Sequence, residues 1–267
     1  MSGAEARSFR ATVEYDGTAY FGFQRQRRGP NRVGVSIQQE LEEALARLAG
    51  HPVRVTGAGR TDTGVHALGQ VIGFTIEWPQ RRGDAALLRA LNANLPPDIA
   101  VRTLAEAPPG FHARFDARRR TYEYRVLNAP VRRPLLRQHA WHVMAALDEA
   151  RMNDAAVLLV GAHDFATFGR PPVGNNTVRT VYDAAWRRED ELLVFRVQAN
   201  AFLYRMVRSL VGSLRKVGDG SWTVDEFAAA LAACDRKRSA SAAPAHGLYL
   251  VAVEYDTSYE LRVTSDE

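Results

Sequence analysis

VRVTGAGRTDTGVHALGQVIGFTIEW, residues 53–78, decides the fold class through what lies on either side of its glycine-rich centre. Upstream, VRVT is a short strand candidate. Downstream, Ile72, Phe74, Ile76 and Trp78 alternate with Gly73, Thr75 and Glu77, the period of a half-buried strand. GAGRTDTGVH therefore joins strand to strand. Gly57 and Gly59 open a G-x-G pattern after a strand, which raises dinucleotide binding. Asp62 stands where the third glycine belongs, however, and no helix N-terminus follows to hold a pyrophosphate, so that reading fails.

Working outward, ATVEYDG (11–17) alternates like a strand, and SIQQELEEALARLAG (36–50) places Ile37, Leu41, Leu45 and Leu48 on one helical face. Ser36 and Gln39 form a capping-box pattern at its start, and Gly50 suits its end. A second helix from about Asp84, carrying Leu87, Leu88 and Leu91, leads through Pro96-Pro97 to the strand DIAVRTLAE (98–106). The same order then returns in TYEYRVLN (121–128), a helix in DEARMNDAAVLLVG (148–161), and strands VRTVYDAAWRRE (178–189) and ELLVFRVQANAF (191–202). A long helix near 203–217, a further helix capped by Thr223 and Glu226, and a final strand in GLYLVAVEY (247–255) complete it. No residues repeat between the halves; the echo is architectural.

Each half reads as a ferredoxin-like βαββαβ unit. The expectation is an α+β chain whose two halves form a mixed, mostly antiparallel sheet, with helices packed on one face and a central cleft where residues from both meet. The boundary falls in PPGFHARFDARRR (108–120), where apolar periodicity lapses. It gives an N-terminal half over 1–113 and a C-terminal half over 114–267.

Of the 267 residues 46% are hydrophobic and 24% charged, enough for packed cores. MSGAEARSFR lacks the apolar centre of a signal peptide and no apolar run could span a bilayer, so a cytoplasmic chain without membrane attachment is expected. Cys234 stands alone, which excludes a stapled secreted fold and a zinc ribbon, and its expected role is that of a small buried hydrophobe. The seven histidines show neither HExxH nor a Cys/His cluster, so no metal is expected. The formal net charge is +5, and of 35 basic residues only Lys216 and Lys237 are lysine. A guanidinium surface suits phosphate and can stack on bases.

Three segments carry candidate chemistry. Asp62 is a carboxylate on a polar, glycine-rich connection, either a turn former or a presented reactive group. FHARFDARRRTYEYRV (111–126) sets Arg114, Arg118, Arg119 and Arg120 before Tyr122 and Tyr124, an interleaving that suits a splayed base, though a Tyr pair on a strand also suits a core. NAFLYRMVRSLVGSLRKVG (200–218) is an amphipathic helix with Leu203, Met206, Val207, Leu210, Val211, Leu214 and Val217 on its stripe. Arg208 and Arg215 lie together on the flank of that stripe and Arg205 on the opposite face.

Taken in order, GRTDTGVHALGQV, FHARF with the following aromatic pair, NAF with MVR and LVGSL, and APAHGLYLVAVEY resemble the motifs of the TruA-type tRNA pseudouridine synthases. YDGTAYFGFQRQ and the SIQQELEEAL helix fit as well, so the resemblance spans residues 9–256. It implies the pseudouridine synthase fold, and a homodimer that acts on the anticodon stem-loop of tRNA at uridines 38, 39 and 40 without metal or organic cofactor. By the same resemblance Asp62 is the catalytic aspartate, Tyr122 the tyrosine that stacks on the target base, Arg208 the arginine that pairs with the aspartate, and Arg60 an arginine of RNA binding and flipping. Thr63 departs from the family's frequent Ala or Ser, and Phe23 from its Trp. GRPPVGNNTVRT (169–180) falls in a region that varies in the family and is a candidate RNA contact. Two other classes compete: a non-catalytic RNA-binding protein on the same fold, and a nucleoside hydrolase, which would ordinarily need a second acid beside Asp62.

Overall fold

The computed structural model describes residues 6–25 and 34–256. Residues 1–5 of MSGAEARSFR and Gln26, the last residue of YDGTAYFGFQRQ, lie outside them. In chain order the elements are β1 (Ala6–Tyr15), α1 (Ile37–Ala49), β2 (Thr56–Gly57), β3 (His66–Glu77), α2 (Asp84–Ala93), β4 (Ile99–Glu106), β5 (Arg119–Asn128), β6 (Trp141–Val143), α3 (Glu149–Ala156), β7 (Gly161–Asp164), β8 (Val178–Glu189), β9 (Leu192–Ala199), α4 (Met206–Gly218), α5 (Val224–Ala232) and β10 (Leu248–Glu254). They divide into two compact units, Met1–Arg118 with Leu250–Glu267, and Arg119–Tyr249. The division lies a few residues beyond the expected 113/114 boundary. The chain also returns its last strand, from Leu250 on, to the first unit, which a linear division could not foresee.

In the first unit β1 runs antiparallel to both β3 and β4, and β2 antiparallel to β3. That order, β4-β1-β3-β2, is the one the split βαββαβ unit requires. β10 lies beside β3 as well. There Gly69 tolerates no side chain, since a Cβ would stand 2.1 Å from the carbonyl oxygen of Val251. Phe9, Ala11, Val13 and Tyr15 are buried on one face of β1, and Phe9 stacks on Phe74 with ring centroids 5.7 Å apart. Ile37, Leu41 and Leu45 of α1 and Leu87 and Leu91 of α2 are buried. The expected capping box forms by half: Ser36 accepts the Gln39 amide, while the Gln39 side chain donates to Glu43 instead. Gly50 closes the helix in the left-handed conformation.

VRVT does not pair as a strand over its length; only Thr56 and Gly57 reach β3. The reason lies in α1, whose buried Glu42 accepts the Val55 amide and whose Gln38 donates to the Val55 carbonyl at 2.9 Å. Side chains of a helix have taken the groups that a ladder would have used.

In the second unit the course β5, α3, β8, β9, α4 follows the expected unit, and the strands lie in the order β5-β9-β8-β7, each pair antiparallel. β6 adds to β5 in parallel, which makes the sheet mixed. Asp148 caps α3 through the Arg151 amide, and the segment ends in a 3-10 turn at Val157–Leu159. All seven stripe residues from Leu203 to Val217 are buried. The helix itself starts only at Met206, because Arg205 adopts a left-handed φ of 62°. The Thr223–Glu226 capping box of α5 is complete.

Cys234 corrects the expectation made for it: it is exposed rather than buried. It follows the end of α5 with φ 51°, the left-handed position after a helix C-terminus, and this lifts its thiol out of the apolar stripe. No helix among the described residues is long and apolar enough to cross a membrane.

Candidate active-site segments

Asp62 and Arg60 belong to the first unit and Tyr122 and Arg208 to the second, and each unit builds its segment from its own contacts.

In the first unit the loop 58–65 is held at both ends and from behind. At its entry the Ala58 amide donates to Val71, and the fully buried Gln70 side chain both accepts the Gly59 amide and donates to the Gly59 carbonyl. At its exit the Asp62 carbonyl accepts the Val65 amide at 3.1 Å across a turn whose third residue, Gly64, has φ 76°. A glycine in that position is what a type II turn demands. Asp62 is thus a turn former in its main chain, and its side chain is half-buried.

From behind, the end of β1 and the connection that follows it, residues 15–25, grip the loop through Thr61, the residue before Asp62. The buried Thr61 hydroxyl shares a 2.8 Å hydrogen bond with the Tyr15 hydroxyl, and the Thr61 carbonyl accepts the Phe23 amide. Gly22, at φ 79°, passes so close that a Cβ there would stand 2.5 Å from the Thr61 carbonyl oxygen and 3.1 Å from the Asp62 carbonyl carbon. Gly17 lies equally tight against Val65, and Gly57 against the Phe23 ring. His66, 2% exposed, takes the Gly17 amide on Nδ1 at 3.1 Å, and the same nitrogen lies 3.1 Å from an Asp16 carboxylate oxygen. Neutral, it accepts from the amide; protonated, it would donate to Asp16. Sequence reasoning noticed YDGTAYFGF only as a matching motif. Its structural task, bracing the Asp62 turn, left one signal in the sequence: two glycines among aromatic residues.

Arg60 is exposed and, among the described residues, forms no hydrogen bond or ion pair.

In the second unit Tyr122 and Tyr124 lie on the same face of β5, both buried. Phe202 meets the Tyr122 ring edge-on, with centroids 5.0 Å apart. Tyr124 is a core residue: its hydroxyl donates to the Pro244 carbonyl at 2.8 Å and its ring meets Trp141 edge-on. Burial pushes its phenol well above the ordinary range, and Arg208 opposes that shift. Arg208, half-buried on α4, donates from Nε to the Ala243 carbonyl at 2.7 Å, and the Ala243 amide returns a bond to the Arg208 carbonyl. Arg215 does not share that environment; it pairs with Asp219 and lies over the Trp141 ring.

The segment 243–247 therefore touches both Arg208 and Tyr124. A Cβ on Gly247 would fall 2.7 Å from the Tyr124 ring, and one on Gly212 of α4 would fall 2.0 Å from the Ser241 carbonyl. His246 sits in the same place, its imidazole held below its ordinary value by burial and then by the neighbouring His139 and Arg208, against the pull of the Ala140 main chain. This support was missed from sequence, where APAHGLYLVAVEY counted only as a segment resembling a family motif. Of the upstream arginines, Arg118 pairs with Asp256 in the first unit, whereas Arg119 lies over the Tyr182 ring and Arg120 donates to the Asn200 carbonyl.

A model of the family described as tRNA pseudouridine synthase matches residues 11–116 and 155–256. Asp62, Arg60 and Arg208 lie inside the matched residues and Tyr122 between them. The "tRNA pseudouridine synthase A" of Rhodospirillum rubrum is 46% identical over 250 residues, covering 92% of this chain and 87% of that one. The protein of the same name from Aeromonas hydrophila is 45% identical over 244 residues, covering 91% and 88%. That of Sinorhizobium fredii is 42% identical over 253 residues, covering 92% and 99%.

Proposed function

Because the chain belongs to the tRNA pseudouridine synthase family, we propose that it converts uridines 38, 39 and 40 of the tRNA anticodon stem-loop to pseudouridine, with Asp62 as the catalytic carboxylate. The observation that carries the assignment is the bracing of the Asp62 turn. Two separate chain segments, one through Tyr15 and Gly22 and the other through Gln70, hold the loop around one half-buried carboxylate. Such fixation is what a reacting group needs and a solvated turn does not.

The isomerisation breaks the bond from N1 to C1′, turns the freed uracil and joins C5 to C1′. Atoms and electrons are conserved, so the reaction needs no redox partner and we assign no metal or organic cofactor. Two routes use the same carboxylate. In one, an Asp62 oxygen attacks C1′ as N1 leaves, and C5 later displaces it. In the other, Asp62 removes the 2′ proton while N1 leaves, forming a glycal, and the proton returns to C2′ as C5 bonds to C1′. In both, C5 finally loses its proton and N1 gains one. Each route starts from ionised Asp62.

Tyr122 is assigned the stacking role on the extruded uracil; its ring is held by Phe202. Arg208 is assigned as the partner that favours the charged aspartate. Its bond to Ala243 fixes the plane of the guanidinium, so the fork can address a carboxylate in one orientation. Arg60 is assigned to RNA, its exposed guanidinium serving the backbone as the uridine leaves its stack at a cost of a few kcal/mol. The enzyme is further proposed to act as a homodimer in the cytoplasm.

The test is to incubate the purified protein with an unmodified tRNA and map pseudouridine along it. Product at 38, 39 or 40 is expected. Free uracil would instead make the protein a hydrolase, and binding without product would make it a non-catalytic RNA-binding protein.

A further inference from the structure

Arg170, Arg205 and Arg236 come from three separated segments of the second unit and are held together by main-chain contacts. The turn 165–170 is the hub. Its Thr167, fully buried, donates its hydroxyl to the Ala230 carbonyl at 2.8 Å and accepts the Asp235 amide at 3.0 Å, which ties the turn to both ends of the α5 C-terminal region. Arg236 donates to the Thr167 carbonyl at 2.9 Å. On the other side the Tyr204 amide donates to the Arg170 carbonyl at 2.9 Å, in an isolated antiparallel bridge. Gly169 allows this approach, because a Cβ there would lie 2.3 Å from the Leu203 Cβ. Arg205 follows directly, with its guanidinium carbon 5.2 Å from the centroid of the Tyr204 ring.

These contacts bring three arginines to one place on the second unit. Burial first, and then the charges of Arg170 and Arg205, make Arg236 release its proton more readily than an isolated arginine. Among the described residues none of the three forms an ion pair with a carboxylate. Asp235, adjacent to Arg236, turns its carboxylate to the Lys237 amide. All three side chains are exposed, and the Tyr204 ring beside them is 52% exposed. Uncompensated positive charge of fork geometry next to an open aromatic face is a design for a phosphate oxygen and a neighbouring base or sugar. α4 starts at this point without a side-chain cap, which adds the partial positive charge of its first-turn amides.

We propose that Arg170, Arg205 and Arg236, with the Tyr204 ring, form a phosphate-binding anchor for the tRNA backbone. The proposal rests on the reading of the chain as a tRNA-modifying enzyme. It is connected to that chemistry by Phe202, which packs on Tyr122 two residues before Tyr204. The anchor is independent of sequence, as backbone contacts are, and sets where the substrate lies rather than which base reacts.

Binding of an unmodified tRNA transcript to the full-length protein, followed by fluorescence anisotropy over a salt series, tests the anchor. The variants are Arg170→Gln, Arg205→Asn, Arg236→Gln and the triple substitution; asparagine at 205 keeps the left-handed backbone accessible. Arg132→Gln, at an exposed arginine that forms no ion pair among the described residues, removes the same charge elsewhere on the second unit. Each lost phosphate contact should lower the slope of log affinity against log salt by about 0.7 to 0.9. The triple variant should lose about two in slope, with KM for tRNA raised at least tenfold and kcat unchanged, and Arg170→Lys should restore part of the loss. A triple variant with the wild-type slope, or an Arg132→Gln slope reduced as much per charge, would overturn the anchor. Wild-type protein that binds tRNA but forms no pseudouridine would refute the functional reading, while the slopes would still judge the anchor. Wild-type protein that does not bind tRNA would overturn both.

Discussion

Replacing Gly22 by alanine separates the positioning of Asp62 from the stability of the fold. Gly22 has φ 79°, and Gly50, at the end of α1, has φ 76°. An alanine at either position meets nearly the same backbone penalty, about 1 to 2 kcal/mol for a left-handed residue with a Cβ. Around Gly50 there is nothing within 4 Å, so Gly50→Ala should cost only that. At Gly22 the new Cβ would stand 2.5 Å from the Thr61 carbonyl oxygen, and no real Cβ sits so close. Relief requires a movement of roughly 0.5 to 1 Å between main-chain segments, and the segment that must yield carries Asp62. Overpacking of this kind adds about 1 to 3 kcal/mol to the cost. Misplacement of a reacting group by about 1 Å costs on the order of 100-fold in rate. Gly22→Ala should therefore lose about 2 to 5 kcal/mol in urea unfolding and on the order of 100-fold in kcat for pseudouridine formation, measured where the variant is still fully folded. Gly50→Ala should lose about 1 to 2 kcal/mol and keep its kcat. If folded Gly22→Ala turned over at the wild-type rate, the claim that this glycine fixes the catalytic turn would be wrong.

Asp62→Asn should retain tRNA affinity within about twofold and form no pseudouridine over many wild-type turnovers, because an amide neither attacks C1′ nor takes the 2′ proton; measurable multiple turnover would remove Asp62 from catalysis. Arg208→Lys should lose at least tenfold in kcat, since a point charge cannot both hold the Ala243 carbonyl and present a planar fork, and a normal rate would exclude the role assigned to it. Tyr124→Phe strips the donor from the Pro244 carbonyl and should lower unfolding free energy by about 1 to 2 kcal/mol, as judged by a shift in urea midpoint at constant slope. For His246 the folded imidazole lies below the ordinary 6.5, so around and below that pH the unfolded chain binds a proton that the folded chain does not. Stability should fall as pH drops from 6.5 toward the folded value, and His246→Gln should flatten that part of the curve while leaving the region above it unchanged; parallel curves would show that His246 does not contribute.

Local chemistry explains which elements could be read in advance. α1 is marked at both ends by Ser36 and Gly50, and α5 by the reciprocal bonds of Thr223 and Glu226, all within a few residues of what they cap. β1, β3, β5, β8 and β9 run for eight residues or more, long enough for a strand pattern to show over part of their length. β6 and β7, at three and four residues, are too short to show one. The start of α4 was misplaced because Leu203 is buried like the rest of the stripe although the helix begins beyond Arg205. Periodicity reports burial; the left-handed φ of a single arginine leaves no mark in composition.

The same distinction runs through the candidate site. A polar side chain on a glycine-rich connection is visible in the sequence, and so is Asp62. What makes a carboxylate there more than a turn former is the set of constraints on its neighbours, and these come from far along the chain. Thr61 is bonded to Tyr15, 46 residues away, and Gly59 to Gln70, while Gly22 is small because of a carbonyl in the Thr61 peptide. Arg208 follows the same logic, since its orientation is set by Ala243, 35 residues on, whose own side chain contributes nothing to the bond. Main-chain groups thus share the positioning with a few side chains such as Tyr15 and Gln70, and main-chain groups carry no residue identity that a single sequence could display. Only the spacing of glycines and the resemblance of whole segments register them. For that reason the informative perturbations are the glycines at 22, 212 and 247, where a single methyl group reports on the backbone behind the site, as much as the charged residues in front of it.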